Sequence, residues 1–278
     1  MTLMENDDRA TAAQHAIGQR QASSQRMQGA GTPRRPMPQP ARGLTAFPLK
    51  VLAIVAMTAN HSCYIYWPYL PDIARCALFA LGGLTFPIMA FLLVEGYRHT
   101  SSLKRYAQRM LAFALVAQAP FMLFLSPSGN VLFTLLIGLG VLWAHDTLHG
   151  AARVGAIAAL VALSAPCDWG ILGPVMVLIL HVVADRCKRV AYSALIPITA
   201  NGLPTAAAFA AAPTLANLAF ALYPLVGCTA TIPLLISYNG GRGRPLKWFF
   251  YAYYPAHIAV LGLAKGLLLG DWSLDYPM

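Results

Sequence analysis

The sequence predicts an all-α fold, a polytopic integral membrane helix bundle of about nine transmembrane helices with a cytoplasmic N-terminus. Three observations carry this. The 278 residues are 58% hydrophobic and only 11% charged, whereas ordinary soluble domains are roughly a quarter charged. Uncharged stretches repeatedly approach the ~20 residues that cross a hydrocarbon core. Lys and Arg gather between those stretches, as retention of basic loops on the cytoplasmic side requires. The composition excludes a cytosolic enzyme, a disordered chain and a disulfide-stapled secreted scaffold. Topology also accounts for the net charge of +10, so no nucleic acid is expected as a partner.

Residues 1–46, rich in Gln, Ala, Arg, Gly and Pro, have no sustained apolar period and read as a disordered basic cytoplasmic tail. Candidate spans follow at about 47–66, 76–97, 109–125, 131–146, 153–166, 170–185, 190–211, 214–236 and 247–269. The fifth is short for a full crossing and suits a re-entrant or tilted segment. Prolines and glycines within spans, among them Pro197, Gly202 and Pro224, require neighbours or water to satisfy freed backbone groups. Residues 270–278 read as a short external tail. With the N-terminus inside, 18 of the 20 Lys and Arg fall on inner segments, Arg75 and Lys265 being the exceptions. The five cysteines show no metal spacing, and no metal site is expected.

Ionisable groups at membrane depth are costly and point to function. Lys50 opens the first span and His61 lies eleven residues on. That spacing is three turns plus about 20°, so both project from one face, about 16 Å apart. His61 then sits near mid-depth, where an imidazole can serve as a general base. The alternative is a neutral histidine bonded to a backbone carbonyl. His257 lies at similar depth, ten residues after Lys247; it can share a cavity with His61 or simply bond another helix.

At the inner end of the second span Glu95 can reach Arg98 and His99 at i+3 and i+4. Arg98, Lys104, Arg105 and Arg109 form a cationic group suited either to phosphates or to lipid headgroups. On the outer side Asp168, beside Trp169, can hold an amine or cap a helix.

These segments resemble the TraX family of conjugative pilin acetylases. The resemblance runs from about Leu49 to Leu268 and is carried by Leu49-Lys50-Val51, Asn60-His61, Phe86-Pro87-Ile88, the Phe91–Gly96 stretch with His99-Thr100, Arg105 through Arg109, Asn130 through Thr134, Asp168 through Gly173, Tyr238-Asn239-Gly240, Lys247 through Tyr251, and Tyr254-Pro255-Ala256-His257. The family is similar in turn to larger membrane acyltransferases, in which a basic residue precedes a first-helix histidine by eleven positions. The resemblance implies a bacterial inner-membrane acetyltransferase using acetyl-CoA as donor and a pilin subunit as acceptor within the lipid bilayer. It implies His61 as base, supported by Lys50, Asn60, Glu95 and His257. Arg98, His99, Lys104, Arg105 and Arg109 would hold the donor, and Asp168, Trp169 and Tyr254 the acceptor. The family has Asp where this chain has Asn60, which leaves Glu95 as the expected orienting group. The alternatives are a non-catalytic pilin maturation or assembly partner and an O-acetyltransferase acting on glycans. A transporter is disfavoured because no repeat relates the halves.

Overall fold

A computed structural model describes residues 43–244 and 247–273. The expected tail at 1–42 and residues 274–278 of the external tail lie outside these. Gly43 to Ala46, read as the end of the tail, belong instead to the folded body. Leu44 N–H donates to Ser237 O (2.9 Å), Asn239 N–H to Leu44 O (2.8 Å) and Ala46 N–H to Gly241 O (2.7 Å). Backbone pairing, which side-chain polarity does not reveal, captures them.

Helices follow in the order α1 (Ala46–Ile65), α2 (Asp72–Gly82), α3 (Thr85–His99), α4 (Leu103–Phe124), α5 (Val131–Thr147), α6 (Gly150–Leu163), α7 (Leu172–Val182), α8 (Arg186–Pro197), α9 (Leu203–Ala211), α10 (Leu215–Leu222), α11 (Thr229–Ile236) and α12 (Lys247–Leu269). Each apolar stretch read from the sequence falls on helix. Five runs among the described residues are long and apolar enough to cross a membrane: 72–99, 103–124, 186–211, 215–236 and 248–269. Helices α5, α6 and α7 are apolar but shorter. The weak fifth stretch, α6, has no buried residue and packs on α5 and α7.

Two of the long runs contain π-helical turns, Ile198–Gly202 between α8 and α9 and Tyr223–Cys228 between α10 and α11. Both adjoin or contain a proline, Pro197 and Pro224, which removes one ladder donor and forces a local rewinding. The second turn crosses the α2–α3 junction at Gly227 and Gly83. A Cβ on Gly227 would lie 2.6 Å from Gly83 Cα and 2.4 Å from Ala80 O, so only glycine permits this approach.

Helix α1 places Ala46, Leu49, Ala53, Ala56, Met57 and His61 on its buried side, the 3–4 spacing of one helical stripe. Small alanines let α2, α3 and α12 pack closely around it. The core continues through Phe86, Ile88 and Phe91 of α3, Leu139 and Leu142 of α5, Met176 and Leu180 of α7, and Ile258 of α12.

The two basic residues that depart from the charge pattern are each neutralised locally. Arg75 pairs with Asp72 at 2.7 Å and donates to Trp67 O. Lys265 meets Asp271 at 3.0 Å and Ser273 O at 2.7 Å. Donors from Ser273, Tyr69 and Lys265 hold the Asp271 carboxyl well below the usual carboxylate range.

Candidate functional site

The core-facing stripe of α1 carries His61 to a buried position, and Pro255 inside α12 does not prevent that helix from presenting His257 opposite. His61 Nδ1 and His257 Nε2 are 2.7 Å apart, and the rings lie nearly parallel with centroids at 4.9 Å. His257 Nδ1 lies 2.9 Å from Tyr253 O. A carbonyl only accepts, so His257 carries its proton on Nδ1. Its Nε2 is then the acceptor, and the bond between the rings must be donated by His61 Nδ1. A neutral His61 therefore presents a bare Nε2 lone pair, the form a general base requires.

Further groups brace this pair. Thr58 Oγ1 donates to Ile54 O (2.7 Å), which leaves its lone pair to accept the Tyr253 hydroxyl at 2.7 Å. The Tyr253 ring stacks on His257 at 5.1 Å. Tyr254, 2% exposed, turns its ring edge to His61 and His257 at 6.2 and 5.8 Å. Neither Thr58 nor Tyr253 is singled out by sequence reading, since their signal is only i−3 and i−4 spacing from the two histidines.

Asp168 approaches the same region from the loop after α6. Its carboxylate lies within electrostatic reach of Tyr64, Tyr223 and Tyr254. Some of its surface remains exposed, but the surrounding side chains enclose the carboxyl. Burial pushes the Asp168 pKa up to about 6, partly offset by the Trp169 backbone N–H. The loop is held by Asp168 N–H to Gly129 O (2.6 Å) and by the Thr134 hydroxyl on Asp168 O. Asn130, fully buried, caps α5 through Leu132 N–H and bonds Ala114 O and Gln118. The Asn130-to-Thr134 segment is thus the mount for Asp168. Trp169 has φ of 65°, alone among the described non-glycine residues in being positive, and stacks on Phe86 at 4.2 Å. Such a conformation persists only where its surroundings impose it.

At the other end of the bundle lies a basic group. Glu95 takes Arg98 at 3.1 Å, Arg189 at 3.6 Å and His99 at 3.9 Å. Arg186 donates to Tyr238 O and Arg242 to His99 O at 3.2 Å. Arg189 is only 7% exposed, and its Nε, like that of Arg109, is buried with no hydrogen-bond partner among the described residues. Lys104 and Arg105 are exposed, while Arg109 lies half-buried against Tyr106 and Tyr251. Lys50 rests over the Phe250 ring at 5.5 Å.

The structure thus brings His61, His257 and Tyr254 together, sets the Asp168 carboxylate within electrostatic reach of Tyr254, and sets Lys50 and the arginines apart from them. Two placements differ from expectation. Glu95, expected to orient His61, is committed to Arg98 and Arg189, and the polar partner of His61 is His257. Asn60 packs on Gly82, where a Cβ would come within 2.7 Å of it, and its Oδ1 is buried without a partner among the described residues. Arg186 and Arg189, one turn apart on α8, and Arg242, in the loop before α12, join the basic group only through folding, because their segments are far from Glu95 and Arg98 in the chain.

Fold and site together define a helical protein with membrane-length runs that holds a tautomer-fixed histidine pair within its bundle. The TraX protein family profile matches residues 47–265, and the chain belongs to the TraX family. It is 33% identical over 253 residues to the "Probable fimbrial assembly protein FimC, serogroup H1" of Dichelobacter nodosus, covering 81% of this chain and 97% of that protein. It is 28% identical over 229 residues to "Protein TraX" of Escherichia coli, covering 77% and 85%. No solved structure matches.

Proposed function

We propose that this protein is an inner-membrane N-acetyltransferase that acetylates the N-terminal amine of a pilin subunit from acetyl-CoA. The observation that carries this reading is the chain Tyr253 O, His257, His61, which leaves His61 Nε2 free to take a proton. The amine nitrogen attacks the thioester carbonyl carbon and gives its proton to His61 Nε2. The carbon–sulfur bond breaks, and the departing sulfur takes that proton to leave as the thiol. His257 holds the His61 tautomer throughout; Asp168 receives the incoming ammonium, which loses its first proton to solvent to become the neutral amine before it attacks. Burial strengthens each of these contacts.

The basic end fits a polyphosphate donor. Arg109 and Arg189 each offer a buried Nε–H with no acceptor among the described residues, and phosphate oxygens would complete them. On this reading the donor enters from the cytoplasm, the acceptor from the outer side, and the nine stretches cross with the N-terminus inside. Pilin as acceptor rests on the names of the relatives and on the family resemblance. The name of the Dichelobacter relative also suits an assembly partner without catalysis, which holds pilin by helix packing.

Purified protein mixed with labelled acetyl-CoA and a pilin N-terminal peptide separates the two. Label transfer supports the acetyltransferase. Tight peptide binding without transfer supports the assembly partner, and transfer to hydroxyl acceptors alone would make it an O-acetyltransferase.

A further inference from the structure

We propose that His145, Asp146 and His181 form a binding site for a divalent transition metal of the zinc class. His145 and Asp146 end α5, and His181 lies in the last turn of α7, 35 residues beyond Asp146. Among the described residues this is the one set of three His, Cys, Asp or Glu side chains whose donor atoms all lie within 4.8 Å of one another. His145 Nδ1 is 3.0 Å and His181 Nε2 2.8 Å from the same oxygen, Asp146 Oδ1. The two rings meet edge to face, 87° apart, so their nitrogens converge on one point from different directions.

Two imidazoles and a carboxylate are a familiar donor set for zinc. Metal–ligand distances of about 2.0–2.2 Å put tetrahedral ligand atoms roughly 3.3 Å apart. The two nitrogen–oxygen separations need to open by only a few tenths of an ångström, and the two nitrogens lie within 4.8 Å of each other. The ligands are also supported from outside. The Tyr97 hydroxyl donates to the other carboxylate oxygen, Asp146 Oδ2, at 2.8 Å, which orients Oδ1 toward the histidines and is the kind of contact that holds metal ligands in place. His181 Nδ1, the nitrogen turned away from the cluster, is buried with no hydrogen-bond partner among the described residues, so Nε2 alone faces the site. Three protein ligands leave a fourth position for water or an anion oxygen.

The location gives the metal something to do. It would join α5 to α7, with Tyr97 of α3 as its outer support. The next residue, Arg98, donates to His181 O at 3.1 Å and pairs with Glu95. An occupied site would therefore fix His181 O and, through it, the Arg98–Glu95 contact at the basic end.

The test uses the full chain purified in detergent, with any affinity tag removed and metal stripped by chelator. Titration with zinc chloride against a chromogenic chelator should show one tight equivalent. His145→Gln and His181→Gln should each weaken it by more than the ~10–100-fold typical of losing a supporting contact. Bound zinc should also raise the melting temperature of the wild-type chain. Since either variant can fail to fold, cobalt chloride added to the wild-type chain gives a second reading, a visible absorption band of four-coordinate intensity. No bound zinc and no cobalt band would overturn the proposal and leave a hydrogen-bonded latch between helices. One equivalent that survives both substitutions in folded protein would overturn it equally, by placing the metal elsewhere.

Discussion

His61 Nδ1 and His257 Nε2 meet at 2.7 Å although 196 residues separate them in the chain. Because Tyr253 O fixes the His257 proton, the roles of the two rings are unequal. His61→Gln should lower acetyl transfer by ~10²–10⁴-fold, the usual worth of a general base. His257→Gln keeps an acceptor for His61 Nδ1–H and should lose much less than His257→Leu. Equal losses in the two His257 variants, measured as initial rates of peptide acetylation, would remove the tautomer argument.

Tyr253 contributes through its carbonyl to the histidine and through its hydroxyl to Thr58. Tyr253→Phe keeps the first contact and removes the second. The expected cost is about 1 kcal/mol of stability with the pH profile of acetylation unchanged. Thermal unfolding alongside that profile distinguishes bracing from chemistry.

Asp168 gives a pH dependence with a definite sign. Its carboxyl titrates near 6 in the folded chain against an ordinary value of 3.8. Between those values the folded state binds more protons than the unfolded one, so the contribution of this group to stability falls as pH rises from about 4 to about 6. Asp168→Asn should flatten that slope in melting curves. Recruitment of an ammonium group needs the ionised carboxylate, so the KM for a pilin peptide should fall as pH rises through about 6 in the wild type and stay level in the variant.

The basic end should act on the donor alone. Arg189→Met removes a nearly buried guanidinium while Arg98 continues to pair with Glu95. The KM for acetyl-CoA should rise severalfold with little change for the peptide. Arg105→Ala, on an exposed side chain, should have a smaller effect.

Gly227→Ala tests the crossing of the π turn with α2. The added methyl meets backbone rather than a movable side chain, so the expected penalty is about 1–3 kcal/mol or more. Loss of the monodisperse peak in size-exclusion chromatography, or a lowered melting temperature, would register it.

The helical class and the placement of His61 on the helix that Lys50 opens were legible because both depend on periodicity along one segment. Lys50 and His61 sit on a single unbroken helix, so counting residues sufficed. The contacts of Glu95 with Arg98 and His99 were legible for the same reason. What sequence could not supply was contact between distant helices. Similar placement let the sequence offer His257 as sharing a cavity with His61, but that it, rather than Glu95, bonds the His61 ring depends on α12 packing against α1, and no spacing rule encodes it. The same holds for Arg189 beside Glu95 and for Asp168 beside Tyr254. The folding of Gly43–Thr45 was missed because its cause is main-chain pairing with Ser237, Asn239 and Gly241, which leaves no mark on side-chain composition.

That short pairing bears on how finely the two imidazoles are aligned. A helix that slips by one residue advances about 1.5 Å along its axis, enough to turn a 2.7 Å contact into none. Such a slip also turns the helix by about 100° about its axis, taking its buried stripe out of register with its neighbours. The Leu44–Tyr238 clip, an isolated bridge made by Leu44 N–H to Ser237 O and Asn239 N–H to Leu44 O, pins the chain just ahead of α1, so the register of the two imidazoles deep in the bundle answers to a few main-chain bonds at its rim.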